Sequence, residues 1–239
     1  MIAAVITARN GSASRMKDKN LVEVHGKPLV AWPLIAAREA DTVDDIALLT
    51  DDPRIAAVGR SWGARIIHEP DRGDEGNHPE AIRYATAALL ARHGNDLEAV
   101  CVLLGNTVMT DGRTIDACIS ALRARPEASG AMTVWTAADD HPLRALQEGP
   151  DGWLVPYGDP APVSSRRQDY PEVLYYDQGP WCFRPEWAER GGGPRPWSWV
   201  GPRVMPVRRP WVAGRDVHGP LDLWIADRWL SDLPERQRK

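Results

Sequence analysis

Apolar side chains fill residues 2–6 without a break and give way at Thr7. So short a run, bounded by polar residues, predicts a strand over 2–7 that is buried on both faces. Further runs predict strands at 46–49, 64–67, 99–104 and 131–135, with a brief extended piece at 22–25. The segments between them follow helical spacing. Leu29, Trp32, Leu34 and Ile35 share one face, and Pro28 before them suits a first helical turn. Residues 55–62 predict a short helix, 80–93 a longer one closed by Gly94, and 114–125 another. Strands alternating with helices in this way predict an α/β fold, a mostly parallel sheet with helices on both faces. Ligands in such sheets bind beyond the carboxyl ends of the strands.

The texture changes after residue 138. Pro, Gly and Trp dominate, and only short extended pieces stand out, at 153–155 and 173–176. The chain has 11 Trp but a single Phe, Phe183, and most of the Trp follow residue 130, so the two halves are built differently. Residues from about 139 to 212 are expected to form an inserted substrate lobe or dimerisation arm within a single domain, 1–239. A helix at 220–230 closes the chain.

Charge and cysteine usage narrow the setting. The net charge is −4 and no basic stripe is visible, which argues against nucleic acid as a partner. The Arg pairs at 166–167 and 208–209 could hold anionic groups, though most such pairs are solvated surface. No run reaches the roughly 18 apolar residues of a membrane span, so no membrane partner is expected. The opening residues lack the basic flank of a signal peptide and run straight into a glycine loop. Cys101, Cys118 and Cys182 form no CxxC pair and read as reduced core thiols. Together these features predict a cytoplasmic protein.

The chemistry concentrates between Thr7 and Asn20. This segment follows a strand and holds Gly11, the hydroxyls of Thr7, Ser12 and Ser14, and the cations Arg9, Arg15, Lys17 and Lys19. A triphosphate needs this mixture: backbone N–H groups in a tight turn, surrounded by fixed positive charge. The segment is neither GxxxxGK[ST] nor GxGxxG. From composition alone, a basic surface loop fits equally well. The continuation separates the readings: Lys19-Asn20, then Gly26-Lys27-Pro28-Leu29-Val30.

The order ARxGS, KN, GKPL resembles the CMP-sialic acid synthetase (acylneuraminate cytidylyltransferase) family, which has phosphonate cytidylyltransferase relatives. Thr50-Asp51-Asp52 matches that family's acidic turn, and Arg167-Gln168 followed by Pro171 matches its RQ…P segment. Asp216, Pro220, Leu221 and Asp222 match its closing DIDxPLD segment. The resemblance implies a nucleotidyltransferase-like, Rossmann-like fold that is commonly a homodimer. It implies coupling of CTP to a small acidic substrate, giving a CMP conjugate and pyrophosphate. Carried over by position, the nucleotide would meet Ala8, Arg9, Asn10, Gly11, Ser12, Arg15, Lys19, Asn20, Asn77 and Asn106. Arg9, Lys19 and Asp216 would be catalytic. Asn106, Arg167, Gln168 and Gln178 would face the acid. Asp216, with His218, would hold Mg2+, or Mn2+ as a softer alternative.

Several positions depart from the family pattern. Ala13 stands where the family has Lys, Asn106 where it has Gln, and His218 where it has a second aspartate. Imidazole is a poorer magnesium ligand than carboxylate. Trp181 stands in the segment that borders the sugar, where it is expected to fill part of the substrate's space. These departures keep two further readings open: a phosphonate cytidylyltransferase, and a nucleotide-binding homologue without catalysis. Asp52 has a competing use as a helix cap before Pro53, and Asp222 as a charge at the last helix start.

Overall fold

A computed structural model describes residues 1–9, 16–70, 78–158 and 164–232. Asn10, Gly11, Ser12, Arg15 and Asn77 lie outside the described residues. In chain order the elements are β1 (Ile2–Thr7), β2 (Glu23–Val24), β3 (Lys27–Pro28), α1 (Ala31–Glu39), β4 (Asp45–Thr50) and α2 (Pro53–Ser61). Then come β5 (Arg65–His68), α3 (His78–His93), β6 (Ala99–Leu104), α4 (Gly112–Arg123) and β7 (Gly130–Thr136). The chain continues through β8 (Leu146–Glu148), β9 (Leu154–Pro156), β10 (Leu174–Phe183), α5 (Trp187–Arg190), β11 (Val204–Arg208) and α6 (Pro220–Asp232).

Seven strands form one sheet in the order β11-β7-β10-β6-β1-β4-β5. β10 runs antiparallel to β6 and β7, while the remaining pairs are parallel. β1 is an interior strand, and residues 2–6 are buried. That explains its unbroken apolar run, since both of its faces are covered. On one face α1, α2 and α4 bury Leu34, Ile55, Ile115 and Cys118 against Ile6, Leu48, Cys101 and Cys182. On the other, α3 and α5 bury Ile82, Leu89 and Ala188 against Val5, Leu49, Val102, Trp181 and Phe183. α6 closes a third cluster with Val24, Leu29, Trp32, Val108 and Val217. All three cysteines are buried and free. Among the described residues, no helix is long and apolar enough to cross a membrane.

Local chemistry sets the element boundaries. Asp52 caps α2 by accepting the Arg54 N–H at 2.7 Å, with Pro53 in the first turn. Gly94 ends α3 at a φ of 55°, which favours glycine. α1 begins three residues later than Pro28, because Pro28 pairs with Glu23 in the small hairpin. The next two N–H groups are also taken: Leu29 donates to the Val22 carbonyl at 2.9 Å and Val30 to the Asn20 carbonyl at 3.0 Å.

Residues 139–212 divide. The β8–β9 hairpin forms a separate two-stranded sheet, whereas β10 and β11 belong to the main sheet. Neither of these two strands is legible as a long apolar run. β10 contains Gly179 and Pro180 in a register shift between Tyr176 and Trp181, and a bulge tolerates such residues. β11 contains Pro206, which is accommodated because β11 is an edge strand.

Candidate functional site

β1 lies between β4 and β6, so the chain leaves the strand ends in opposite directions and opens a crevice there. Close contacts hold its floor. Gly105 donates its N–H to the Thr7 carbonyl at 2.8 Å. A Cβ on Gly105 would sit 2.7 Å from Ala8 Cβ and 3.1 Å from that carbonyl, so only glycine lets β6 end here. Ala8 is buried and its N–H bonds the Leu49 carbonyl at 3.0 Å, which makes it a wall residue. Buried Asn20 donates Nδ2 to the Arg9 carbonyl at 2.9 Å. It thereby fixes the exit of β1 against the 3-10 turn Lys19–Leu21.

Asn106 and Asp216 come together although they are far apart in sequence, and Lys19 lies within electrostatic reach of Asp216. Asn106 Nδ2 donates to Asp216 Oδ2 and to the Val217 carbonyl, both at 3.0 Å, and Val217 N–H returns to the Asn106 carbonyl at 2.9 Å. Lys19 is half-buried beside them. Burial lowers its pKa, and the carboxylates of Asp216 and Asp222 act against that shift. Asp222 accepts Arg215 Nη2 at 2.7 Å and the N–H groups of His218 and Gly219 at 3.0 Å. Burial works against its charge, yet these donors outweigh burial and hold its carboxyl below the usual range. Asp222 is therefore occupied at the helix start, as expected.

Arg9 has its own acidic neighbours. Its Nε is 4.0 Å from Asp51 and 3.9 Å from buried Glu69, at the ends of β4 and β5. The two cations expected to share a triphosphate thus have different acidic neighbours, Asp51 and Glu69 for Arg9 and Asp216 and Asp222 for Lys19. Asp52 is spent on its cap and on Arg54, which also reaches Asp18 at 2.7 Å.

A magnesium-type ion takes oxygen ligands and is often held by one or two carboxylates plus phosphate. Asp216 supplies a carboxylate within electrostatic reach of Lys19. His218 Nε2 lies 2.8 Å from Asp216 Oδ2, so this imidazole nitrogen is engaged by the expected ligand itself. Among the described residues, no group of three or more His, Cys, Asp or Glu converges on one metal position. The donor set fits an ion held by Asp216 alone, with its remaining ligands drawn from phosphate and water.

The expected acceptor residues separate. Gln178 lies half-buried in the β10 bulge, beside the carboxyl end of β6, without a side-chain hydrogen bond among the described residues. Arg167 is 56% exposed and 3.8 Å from Asp139, and Gln168 is exposed next to it. No hydrogen bond or ion pair among the described residues joins these two to the Asp216 cluster. Trp181 lies fully buried beneath α3, with Nε1–H on the Asp177 carbonyl at 3.1 Å, instead of filling the substrate side. Of the supposed surface pair, Arg208 is exposed and meets Glu172, whereas Arg209 is buried on Asp177. No motif marks Asp177 or Arg209. Pro210 and the Trp-rich context were the nearest signals.

His78 opens α3 against Thr7 Oγ1 at 3.4 Å, within 5.5–6.1 Å of the rings of Trp181, Trp197 and Trp199. Burial lowers its pKa from 6.5 to about 4. The unfolded chain then binds the extra proton between these values, so stability falls as pH drops below 6.5 and levels off below 4. The expected loss is about 2 kcal/mol by pH 5 relative to pH 7. Urea unfolding should show that loss in the wild type and its absence in His78→Phe. An equal loss in both would place the acid sensitivity elsewhere.

Residues 3–144 match the cytidylyltransferase family. The chain is 33% identical over 139 residues to 3-deoxy-manno-octulosonate cytidylyltransferase of Anaeromyxobacter dehalogenans, covering 55% of this chain and 54% of that protein. It is 27% identical over 192 residues to N-acylneuraminate cytidylyltransferase B of Danio rerio, covering 80% of this chain and 43% of that protein. These matches span about half the length of the curated relatives. Among solved structures, a CMP:2-keto-3-deoxy-manno-octonic acid synthetase complexed with CTP aligns with a TM-score of 0.68 at 16% identity, covering 96% of this chain and 98% of that one. The 4-diphosphocytidyl-2C-methyl-D-erythritol synthase of Anaerococcus prevotii aligns at 0.66 and 15%, covering 96% of each chain. At these identities the structural likeness establishes the fold.

Proposed function

The chain belongs to the cytidylyltransferase family, and from that premise we propose that it couples CTP to an acidic sugar of the nonulosonic, sialic-like class. The observation that carries this reading is the Asn106–Asp216 contact beyond the carboxyl end of β6, with the half-buried Lys19 in electrostatic reach of Asp216. A half-buried ammonium beside one carboxylate suits a site that receives a triphosphate and its metal. The sugar hydroxyl oxygen forms a bond to the α-phosphorus, and its proton passes to solvent. The bond to the bridging oxygen breaks, and pyrophosphate leaves with the electron pair. Lys19 neutralises charge on the departing phosphates. Asn106 holds the Asp216 carboxylate in place. Asp216 would hold the divalent ion, magnesium before manganese, which supplies further charge neutralisation when bound. Gln178 faces the acceptor side. Arg167 and Gln168 are left as contacts to the acid that would require the 164–173 segment to approach.

Pyrophosphate release from CTP tests this reading, using eight- and nine-carbon ulosonic acids beside aminoalkyl and hydroxyalkyl phosphonates. Turnover with a nonulosonic acid is the expected result. Turnover with phosphonates alone would favour the relatives that carry such acids. CTP binding without any turnover would leave a nucleotide-binding homologue.

A homodimer is part of the same reading. The β8–β9 hairpin exposes Trp153 at 76%, Leu154 at 73% and Tyr157 at 65%. Each Å² of apolar surface covered by a second copy contributes about 25 cal/mol. The paired change Trp153→Asp and Leu154→Asp is expected to convert dimer to monomer in sedimentation velocity. A wild-type monomer at micromolar concentration would sink the arm assignment.

A further inference from the structure

Three segments that border the acceptor side of the crevice meet on one buried ion pair. Arg209 follows β11, and Asp177 lies in β10. Arg209 Nε donates to Asp177 Oδ2 at 2.6 Å and Nη2 to Oδ1 at 3.0 Å. The side chains are only 7% and 2% exposed. Nη2 also donates to the Gly179 carbonyl, and Nη1 to Thr110 Oγ1 at 3.4 Å. Asp177 further accepts from the Thr133 hydroxyl of β7 and from Gly179 N–H at 3.1 Å. Gly214 packs so closely on Asp177 that a Cβ there would overlap its carboxylate.

A buried pair of this kind recovers little net stability, because two charges lose their water. What it supplies is geometry: a planar fork with fixed hydrogen-bond directions. The fork ties together the β10 bulge, the loop after β6 and the segment running from β11 towards α6. The bulge carries Gln178, the loop carries Asn106, and the segment reaches Asp216 two residues beyond Gly214. Thr110 reinforces the tie by donating its hydroxyl to the Gly179 carbonyl at 3.4 Å.

We propose that Arg209, held by Asp177, is a positioning residue that sets the spacing of Gln178, Asn106 and Asp216 and so shapes the acceptor pocket without touching substrate. The inference rests on the acceptor side of the function proposed above. Its nucleotide side is independent, since Lys19 and Arg9 make no contact with the pair among the described residues.

The test measures the unfolding midpoint, CTP dissociation constant and acceptor kinetics of three variants. Asp177→Asn with Arg209→Gln removes both charges, so no unpaired charge is buried. It is expected to fold and to bind CTP within about threefold of wild type. Acceptor kcat/KM should fall about 100-fold, the scale of an ångström's misplacement. Arg209→Lys keeps the charge but loses the fork, and should not restore acceptor kcat/KM. Thr110→Val leaves the ion pair intact and is expected to raise acceptor KM about fivefold at unchanged CTP affinity, a loss of about 1 kcal/mol. It decides the matter if the double variant does not fold. A folded double variant with wild-type acceptor kinetics would overturn the inference. So would parallel losses in CTP affinity and acceptor turnover. Wild-type turnover separates the two failures: its presence confines the failure to this inference, and its absence overturns the proposed function and the inference together.

Discussion

Replacing Lys19 by alanine is expected to lower kcat by roughly 100- to 1,000-fold, the usual cost of removing one preorganised group that meets developing charge. The protein should still fold. Lys19 lies in a short 3-10 turn, and the turn's fixed bonds come from Asn20 and the backbone. Asp222 keeps Arg215 at 2.7 Å and Asp216 keeps Asn106 at 3.0 Å, so neither carboxylate loses its hydrogen-bond partner. Burial also makes a pH signature. It pulls the Lys19 ammonium below the ordinary lysine value. The alkaline limb of kcat/KM, which reports the free enzyme, should therefore fall earlier than an unperturbed lysine would allow. It should move upward in Lys19→Arg, whose guanidinium stays charged. Near-normal turnover by Lys19→Ala would refute the role of this cation.

The second large effect is expected from Asp216→Asn. The carboxamide keeps the size of the side chain and can still accept from Asn106, so the loop after β6 should stay in place. What disappears is the negative charge that faces Lys19 and His218. With CTP and magnesium, kcat/KM is expected to fall about 100-fold, and the magnesium concentration for half-maximal rate should rise. CTP binding in a chelator should change little, which separates loss of metal from loss of nucleotide. An unchanged magnesium response would place the ion on other groups.

Much of the fold was legible because burial dictates composition. A strand covered on both faces has nowhere to put a polar side chain, so β1 and β6 stand out as apolar runs. Helix ends at Asp52 and Gly94 were legible because their cause is local. The start of α1 was misplaced because Lys27 and Pro28 are drawn into the small hairpin with Glu23 and Val24, a pairing that helical spacing does not reveal. β10 was read only at its first residues. Its other half is interrupted by Asp177-Gln178-Gly179-Pro180 before the apolar Trp181-Cys182-Phe183, and it becomes a strand because β6 and β7 pair on either side of it.

The candidate site divides in the same way. Arg9 and Lys19 and the closing Asp216 and Asp222 stand in short motifs near a strand end or a helix start. The sequence by itself therefore determined the α/β layering and the family of the chain. It also marked Lys19 and Asp216 as residues to suspect. Only the tertiary structure decided which of them meet. It placed Lys19 with Asp216 and Asn106, turned Arg9 to Asp51 and Glu69, and sank Trp181 into the core. It also converted Arg209 from a supposed surface charge into a buried clasp on Asp177. The physical reason is range. Periodicity and capping act over a few residues, whereas an ion pair between distant segments is specified only when the sheet brings their ends together.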